Sequence, residues 1–257
     1  MNNPLTISVV TAVFNRALTI EDTLNSVGSQ DYSHVEHLVQ DGGSSDGTLD
    51  IISEVSGLRT HLVSEPDNGI YDAINRGLKR ATGDIVGLLH SDDTFARRDV
   101  LSHVAAAFSD PMVDCVYGDL QYVSENDPTR VVRHWKAGFY DRNNIRSGWM
   151  PPHPTFYIRR SLLEKFGSYD TSFQIAADYD AMLRWLWIHN LKPAYIPIVM
   201  VRMRTGGESN RSLGRIIKKS REDYFALRRN GVGGIPALAL KNLRKIEQFK
   251  LRKPPTE

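Results

Sequence analysis

Two carboxylates stand side by side at the end of an apolar run, Ile85-Val86-Gly87-Leu88-Leu89-His90-Ser91-Asp92-Asp93. Ile85 to Leu89 read as a buried strand. In an open α/β sheet, ligands bind outside the carboxyl ends of the strands. There, Asp92 and Asp93 offer hard oxygen ligands for Mg²⁺ or Mn²⁺. A divalent cation at that point suits a diphosphate that must leave with its charge neutralised. The other reading is an acidic loop, with Asp92 or Asp93 capping the next helix. A second acidic group, Asp178-Tyr179-Asp180, opens an apolar helical stretch from Ala181 to His189. A third lies in Asp41-Gly42-Gly43-Ser44-Ser45-Asp46-Gly47-Thr48, too glycine-rich for regular structure, where Ser45 or Asp46 can cap the helix that follows.

The elements around these groups alternate. Ile7 to Phe14 reads as a β-branched strand, and Leu18 to Ser29 as a helix with Ile20, Leu24 and Val27 inward. Val35 to Gln40 and His61 to Ser64 are strands. Glu65 to Gly69 is a turn, and Ile70 to Ala81 a helix with Ile70, Ala73, Ile74, Gly77 and Leu78 inward. After the Ile85 strand come a helix at Val100 to Phe108 and a strand at Val113 to Tyr117. Such alternation predicts a Rossmann-like, doubly wound, mostly parallel α/β sheet. From Asp119 onward, aromatic and polar residues mix, as in a pocket-forming insert on the same sheet. An apolar strand at Ile196 to Val201 leads into a basic loop, Arg202 to Asn210. Two basic helical stretches, Leu213 to Arg229 and Ala237 to Leu251, follow. The expected division is an alternating part over 1–118, a pocket-forming part of the same domain over 119–210, and a basic helical tail over 211–257.

Composition narrows the function classes. No apolar run approaches the roughly 18 residues of a membrane span. The amino-terminal residues lack the charged and apolar regions of a signal peptide. Cys115 is the only cysteine in the 257 residues, so no internal disulfide is possible and a reducing, cytoplasmic setting is expected. The net charge of +2 hides a split. Residues 1–201 carry 17 Lys and Arg against 25 Asp and Glu, whereas residues 202–257 carry 15 against 5. A basic carboxy-terminal surface facing something anionic follows; a membrane face is expected, with the protein peripheral on the inner face of the cell membrane, and no nucleic acid. Neither G-x-G-x-x-G nor G-x-x-x-x-G-K-[ST] follows the first strand, and G-x-S-x-G is absent, which argues against dinucleotide enzymes, P-loop enzymes and serine hydrolases.

Five motifs in order resemble the inverting family 2 glycosyltransferases with the GT-A fold, over roughly residues 5–210. They are Val10 to Asn15, the Asp41 to Thr48 turn, Asp67-Asn68-Gly69-Ile70-Tyr71-Asp72-Ala73-Ile74-Asn75, Ser91-Asp92-Asp93, and Ala177 to Asp180. Within the family the chain looks like bacterial enzymes of surface-polysaccharide assembly. The resemblance implies donor contacts at Thr11, Ala12, Asn15, Asp67, Asn68, Ser91 and Asp92, and a uracil-accepting carboxylate at Asp41. It implies a metal aspartate at Asp92, with Asp93 beside it, binding Mg²⁺ or Mn²⁺. Asp178 matches the catalytic base and Arg204 a mobile-loop cation over the diphosphate; His153 falls on the acceptor side, and Asp180 reads as structural. Two positions depart from the pattern: His90 occupies the first place of a metal motif that is often Asp-x-Asp-Asp, and Ala177 precedes the base where an acid is common. The implied activity is metal-dependent inverting transfer from a nucleotide-diphosphate sugar, UDP-linked, to a hydroxyl of a saccharide or lipid-linked saccharide. The alternatives are a sugar nucleotidyltransferase, which needs a glycine-rich basic loop that Thr11 to Arg16 is not, and a catalytically silent membrane-surface module.

Overall fold

The computed structural model describes residues 4–206 and 213–247. Seven consecutive buried residues form β1 (Ile7–Val13). A strand apolar on both faces must be covered on both. β1 therefore lies inside the sheet, between β2 (Val35–Asp41) and β4 (Ile85–Leu88), parallel to each. β3 (Thr60–Ser64) continues the parallel set beyond β2. Val10 and Ala12 face the side packed by Ala73, Ile74 and Leu78 of α3 (Ile70–Arg80). Ile7 and Val9 face the side packed by α1 (Ile20–Gly28) and α4 (Val100–Phe108). α2 (Thr48–Val55) adds Ile52 to a third cluster with Val13, Ile20 and Leu24. Helices thus cover both faces, as the alternation predicts.

The sheet then extends past β4 in the order β4-β8-β6-β9-β5. β8 (Tyr157–Arg159) is antiparallel to β4 and to β6 (Cys115–Val123). β9 (Pro193–Arg204) is parallel to β6, and β5 (Asp93–Phe95) is antiparallel to β9. β7 (Val131–Trp135) pairs with the outer half of β6. Gly87 in β4 lies opposite Tyr157, and a Cβ there would fall 2.2 Å from the Tyr157 ring. The glycine is needed because that ring crosses the strand. β6 runs through the 118/119 boundary, so the two expected parts of the domain share one strand.

Several elements differ from the sequence reading. Asp93 opens a strand rather than a cap, because β9 offers it a pairing edge. Arg202 to Arg204 lie within β9 rather than in a loop, held between β5 and β6; Thr205 and Gly206 form a turn, and 207–210 of that expected loop lie outside the described residues. Ile70 is about half exposed rather than inward, since it starts α3 on the open side. The short helices α5 (Arg142–Arg146) and α6 (Arg160–Phe166) precede α7 (Ala177–Leu183), which continues as a π-helical stretch over Arg184–Ile188. α8 (Leu213–Arg229) and α9 (Ile235–Glu247) are not a free tail. Ala226, Leu227, Ala237 and Lys241 are buried, and Gly148 lets the α9 backbone approach so closely that a Cβ would sit 2.4 Å from the Lys241 Cα. The end of the second basic stretch, from residue 248 on, lies outside the described residues. No described helix is long and apolar enough to cross a membrane.

Candidate active site

A cavity of about 820 Å³ opens where the parallel strands end. Ala12, Arg16, Ser91 and Asp92 line one wall, at the carboxyl ends of β1 and β4. His153, Asp178 and Lys219 line the same cavity. The two expected functional carboxylates, Asp92 and Asp178, therefore share one space.

The remaining donor-side residues lie around this wall with structural partners. The Thr11 hydroxyl is buried, donating to the Leu89 carbonyl at 2.8 Å and lying 2.9 Å from His37 Nε2. Asn15 adopts a left-handed backbone (φ 50°), which asparagine tolerates, and its side-chain oxygen accepts from Ser45 N–H at 2.9 Å. The Asp41 carboxylate is buried and accepts from the N–H groups of Gly43 and Ser44 and the hydroxyls of Ser44 and Ser64. Two carboxylate oxygens offer about four lone pairs, so the turn itself takes up the capacity that a uracil ring was expected to use. Asp67 accepts from Gly69 N–H at 2.7 Å, and Asn68 donates to Asp72 from both its backbone and side-chain nitrogens. These groups shape two adjoining turns: a Cβ on Gly42 would meet the Asp67 carboxylate at 2.4 Å.

The adjacent aspartates separate. Asp92 faces the cavity, half-buried. Asp93 faces the interior, where its carboxylate makes no hydrogen bond of normal geometry. Burial pushes the Asp93 carboxyl well above its ordinary range, the Asp92 charge adds to this, and the Arg204 main chain and guanidinium offset it only in part. Asp93 is buried and lines no part of the cavity, so of the two only Asp92 is placed to meet an ion there. Among the described residues no group of three or more His, Cys, Asp or Glu is arranged to hold an ion. Arg204 also departs from expectation: it ends β9, away from the cavity wall, pairs with Asp22 and donates to the Glu125 carbonyl.

A chain of contacts runs from the end of β4 to Asp178. His90 Nε2 lies 2.8 Å from His153 Nε2, and His153 Nδ1 lies 3.2 Å from Asp178 Oδ2. The Tyr71 hydroxyl reaches Asp178 Oδ1 at 3.2 Å and the Ile175 carbonyl at 2.7 Å. Burial lowers His153 to about 4 against the pull of Asp178, with His90 and Lys219 lowering it further. Burial also lowers His90, opposed by Asp92 and Asp178. Burial raises Asp178, but His153, Lys219 and Lys241 outweigh it and hold the carboxyl below its ordinary range. Near neutral pH the network is thus two neutral imidazoles and one carboxylate. His153 lies between His90 at Nε2 and the Asp178 carboxylate at Nδ1, in an electrostatic contact with the latter. Asp178 lies in the first turn of α7 but caps nothing; Ala176 holds the cap position.

A family model described as glycosyl transferase family 2 matches residues 8–175. The chain belongs to glycosyl transferase family 2. It is 33% identical over 213 residues to an uncharacterized glycosyltransferase of Mycobacterium tuberculosis, covering 80% of this chain and 78% of that one. It is 31% identical over 208 residues to a PGL/p-HBAD biosynthesis glycosyltransferase of Mycobacterium bovis, covering 79% and 78%. The fold matches the S. aureus TarS structure in complex with UDP-GlcNAc, with TM-score 0.67 at 19% identity over 89% of this chain and 66% of that one. It also matches a mannosyltransferase of Pyrobaculum calidifontis in complex with GDP-Man and Mn²⁺, with TM-score 0.64 at 19% identity over 98% and 77%. The sheet is therefore the GT-A arrangement, and the protein is an enzyme, a glycosyltransferase.

The glycosyltransferase also uses groups that the sequence reading missed. Glu222 of α8 accepts from Ile175 and Ala176 N–H at 2.8 and 3.0 Å, tying down the chain that leads into α7 and Asp178. Asn230, just beyond α8, donates to the buried Asp180 at 2.8 Å, which gives Asp180 the structural role expected of it. Lys241 of α9 pairs with Asp223 at 2.6 Å and lies 3.2 Å from the Tyr179 ring centre, within the cavity wall. The basic helices are thus part of the site's frame. Tyr71 was present in one quoted motif, but nothing local to it pointed at Asp178.

Proposed function

We propose that this glycosyltransferase moves a sugar, with inversion, from a nucleotide-diphosphate donor to a hydroxyl of a saccharide or lipid-linked saccharide acceptor in bacterial polysaccharide assembly. The observation that carries it is that Asp92 and Asp178 line one cavity, with Asp178 set against His153 and Tyr71. The acceptor oxygen attacks the anomeric carbon as the bond to the diphosphate breaks, and its proton passes to Asp178. A carboxylate held in its charged form at neutral pH suits that task. The Tyr71 hydroxyl and the His153 ring lie against its two oxygens.

Asp92 is the residue that would hold Mg²⁺ or Mn²⁺. One carboxylate with substrate phosphates and water suffices for such an ion, which fits a wall carrying a single cavity-facing acid. When bound, the ion would neutralise the departing diphosphate. His90 is turned to His153 and leaves that place to Asp92. UDP-sugars are the first donors to test, since one fold neighbour is a UDP-GlcNAc complex. Release of nucleotide from UDP- and GDP-sugars, each with Mg²⁺ and with Mn²⁺ and with a saccharide acceptor present, decides the reading; no release from any donor would overturn it.

A peripheral membrane position is supported by exposed apolar side chains among cations. Ile216, Ile217 and Phe225 on α8 lie near Arg215, Lys218 and Arg221, and Leu240 and Leu243 on α9 are also exposed. Each basic residue near an anionic surface contributes about 1 kcal/mol. Anionic vesicles should float the wild-type protein and retain less of Ile216→Ser/Ile217→Ser; equal flotation would remove the membrane role from α8.

A further inference from the structure

Asp178 follows the first residue of α7, and the segment that leads into it, 167–176, contains no helix or strand. An irregular segment keeps its place only through ties to the rest of the molecule. Its last residues are gripped by one side chain from another element. Glu222 of α8 accepts from the N–H groups of Gln174, Ile175 and Ala176 at 3.2, 2.8 and 3.0 Å. All three meet the same oxygen, Oε2, and Gln174 N–H also lies 3.2 Å from Oε1. Successive N–H groups turned to one point make an anion-binding concavity. Here α8 fills it with a carboxylate of the chain itself. Hydrogen bonds to an ionised acceptor are about twice as strong as neutral ones.

The tie continues to the base. The Ile175 carbonyl accepts from the Tyr71 hydroxyl at 2.7 Å, and the same hydroxyl lies 3.2 Å from Asp178 Oδ1. Residue 175 is therefore held by its N–H from α8 and by its carbonyl from α3. Gln174, Ile175 and Asp178 all line the cavity, so a shift of this segment is a shift of the reacting surface. We propose that Glu222 is a positioning residue of the transfer reaction: by holding the N–H groups of residues 174–176, it sets where Asp178 stands against Tyr71 and His153. This rests on the reading of Asp178 as the base. Glu222 touches no reacting atom, and its effect is read in Asp178. It also makes α8, which lies beyond the residues matched by the family model, a helix that sets the rate.

The test compares Glu222→Ala, Glu222→Asp and Arg229→Gln with wild type. The readouts are UDP affinity and, across pH, nucleotide release from the UDP- or GDP-sugar that wild type uses. The aspartate keeps the charge but is one methylene too short to meet all three N–H groups. Arg229→Gln cuts a different tie of α8, its ion pair with Asp170, and leaves residues 174–176 alone. Small misplacements of a reacting group cost up to about 100-fold, so Glu222→Ala should lower kcat about tenfold or more. Its UDP affinity should stay within about twofold. Its acidic limb should move to higher pH: burial already raises the Asp178 pKa, and a base drawn away from His153 loses the leading group that holds it down. Glu222→Asp should show both changes to a smaller degree, and Arg229→Gln should match wild type within about twofold. A normal kcat with an unmoved limb in folded Glu222→Ala overturns the proposal. So does an equal loss in Arg229→Gln, or a fall in UDP affinity as large as the fall in rate. If Glu222→Ala does not fold, Glu222→Asp decides, and wild-type behaviour there overturns the proposal. If wild type releases nucleotide from no donor, the transferase reading fails by itself. The ring-nitrogen NMR signals of His153 then still report on Glu222: signals that move in Glu222→Ala support its hold on Asp178, and signals that stay overturn it.

Discussion

Beyond the ends of β1, β2 and β3, the side chains are fastened within one cluster of neighbouring loops, across 2 to 30 residues of sequence. Asp41 is held by Gly43, Ser44 and Ser64, Asp67 by Gly69, and Asn15 by Ser45. On the wall made by α7 and α8, each working group is fastened by something distant. His153 meets His90 63 residues away, Asp178 meets Tyr71 107 residues away, and Glu222 holds residue 175 across 47. The first region can cradle a rigid, invariant group through backbone and turns. The second orients one carboxylate through a side-chain network, and its chemistry should therefore be far more sensitive to single substitutions.

The largest effect should come from the centre of that network. Asp178→Asn keeps the shape of the side chain and removes the proton acceptor. A fall in kcat of about 10²–10⁴-fold with unchanged donor affinity is expected. If donor affinity collapses as well, Asp178 is a structural residue and the contrast between the two regions is wrong. Asp92→Ala, beyond the end of β4, should lose roughly 100-fold or more of the metal-stimulated rate, the scale set by disturbing metal sites. Its fold should survive, because the side chain is half-buried at a cavity mouth. A normal rate at saturating Mg²⁺ or Mn²⁺ would show that no ion works there.

His153→Ala separates orientation from chemistry. Loss of one of the two holds on Asp178 should lower kcat on the order of 10- to 100-fold. The sign of its pH effect is fixed by the geometry. The base works when deprotonated, so activity falls as pH drops through its pKa. His153 is the first of the groups holding that pKa down, so removing it raises the pKa and moves the acidic limb of the rate profile to higher pH. A limb that stays in place alongside a normal kcat would leave His153 a mere packing residue.

The same contrast explains what could be read in advance. β1, β2, α1 and α4 were legible because apolar periodicity and burial coincide; Ile20, Leu24 and Val27 are all buried as their spacing demands. Asp92 and Asp178 were legible because each ends or begins a strong local pattern. The split between Asp92 and Asp93 was not, since adjacent carboxylates look alike until β9 pairs with β5 and takes one of them inside. Arg204 was assigned to a loop because its basic neighbours mask a strand whose partners come from residues 93 and 123. Lys219 and Glu222 fall in a stretch read only as a basic helix, and only tertiary packing brings that helix to the cavity. Long-range contacts carry no local signal, and the acceptor wall is made of them.

The smallest expected effect concerns stability rather than rate and bears on the first region. His37 lies beneath it, buried, with Nε2 against the Thr11 hydroxyl, and burial lowers it to about 4. An unfolded histidine titrates near 6.5. Between pH 6.5 and 4 the unfolded chain binds a proton there that the folded chain does not, so stability rises with pH across this window. It is fully present above 6.5 and lost as pH falls toward 4. The whole span amounts to about 3 kcal/mol for His37. His153 titrates in the same window but faces the cavity, where solvent screens it, so its share is smaller. Denaturant unfolding of wild type and His37→Gln at pH 8 and pH 4.5 measures the difference. The variant should lose less stability on acidification than wild type, while its donor affinity at pH 8 stays normal because His37 lies behind Thr11 and lines no part of the cavity. Identical acid sensitivity in the two proteins would mean that His37 is protonated within the fold, and the first region would then be softer than its closed turns imply.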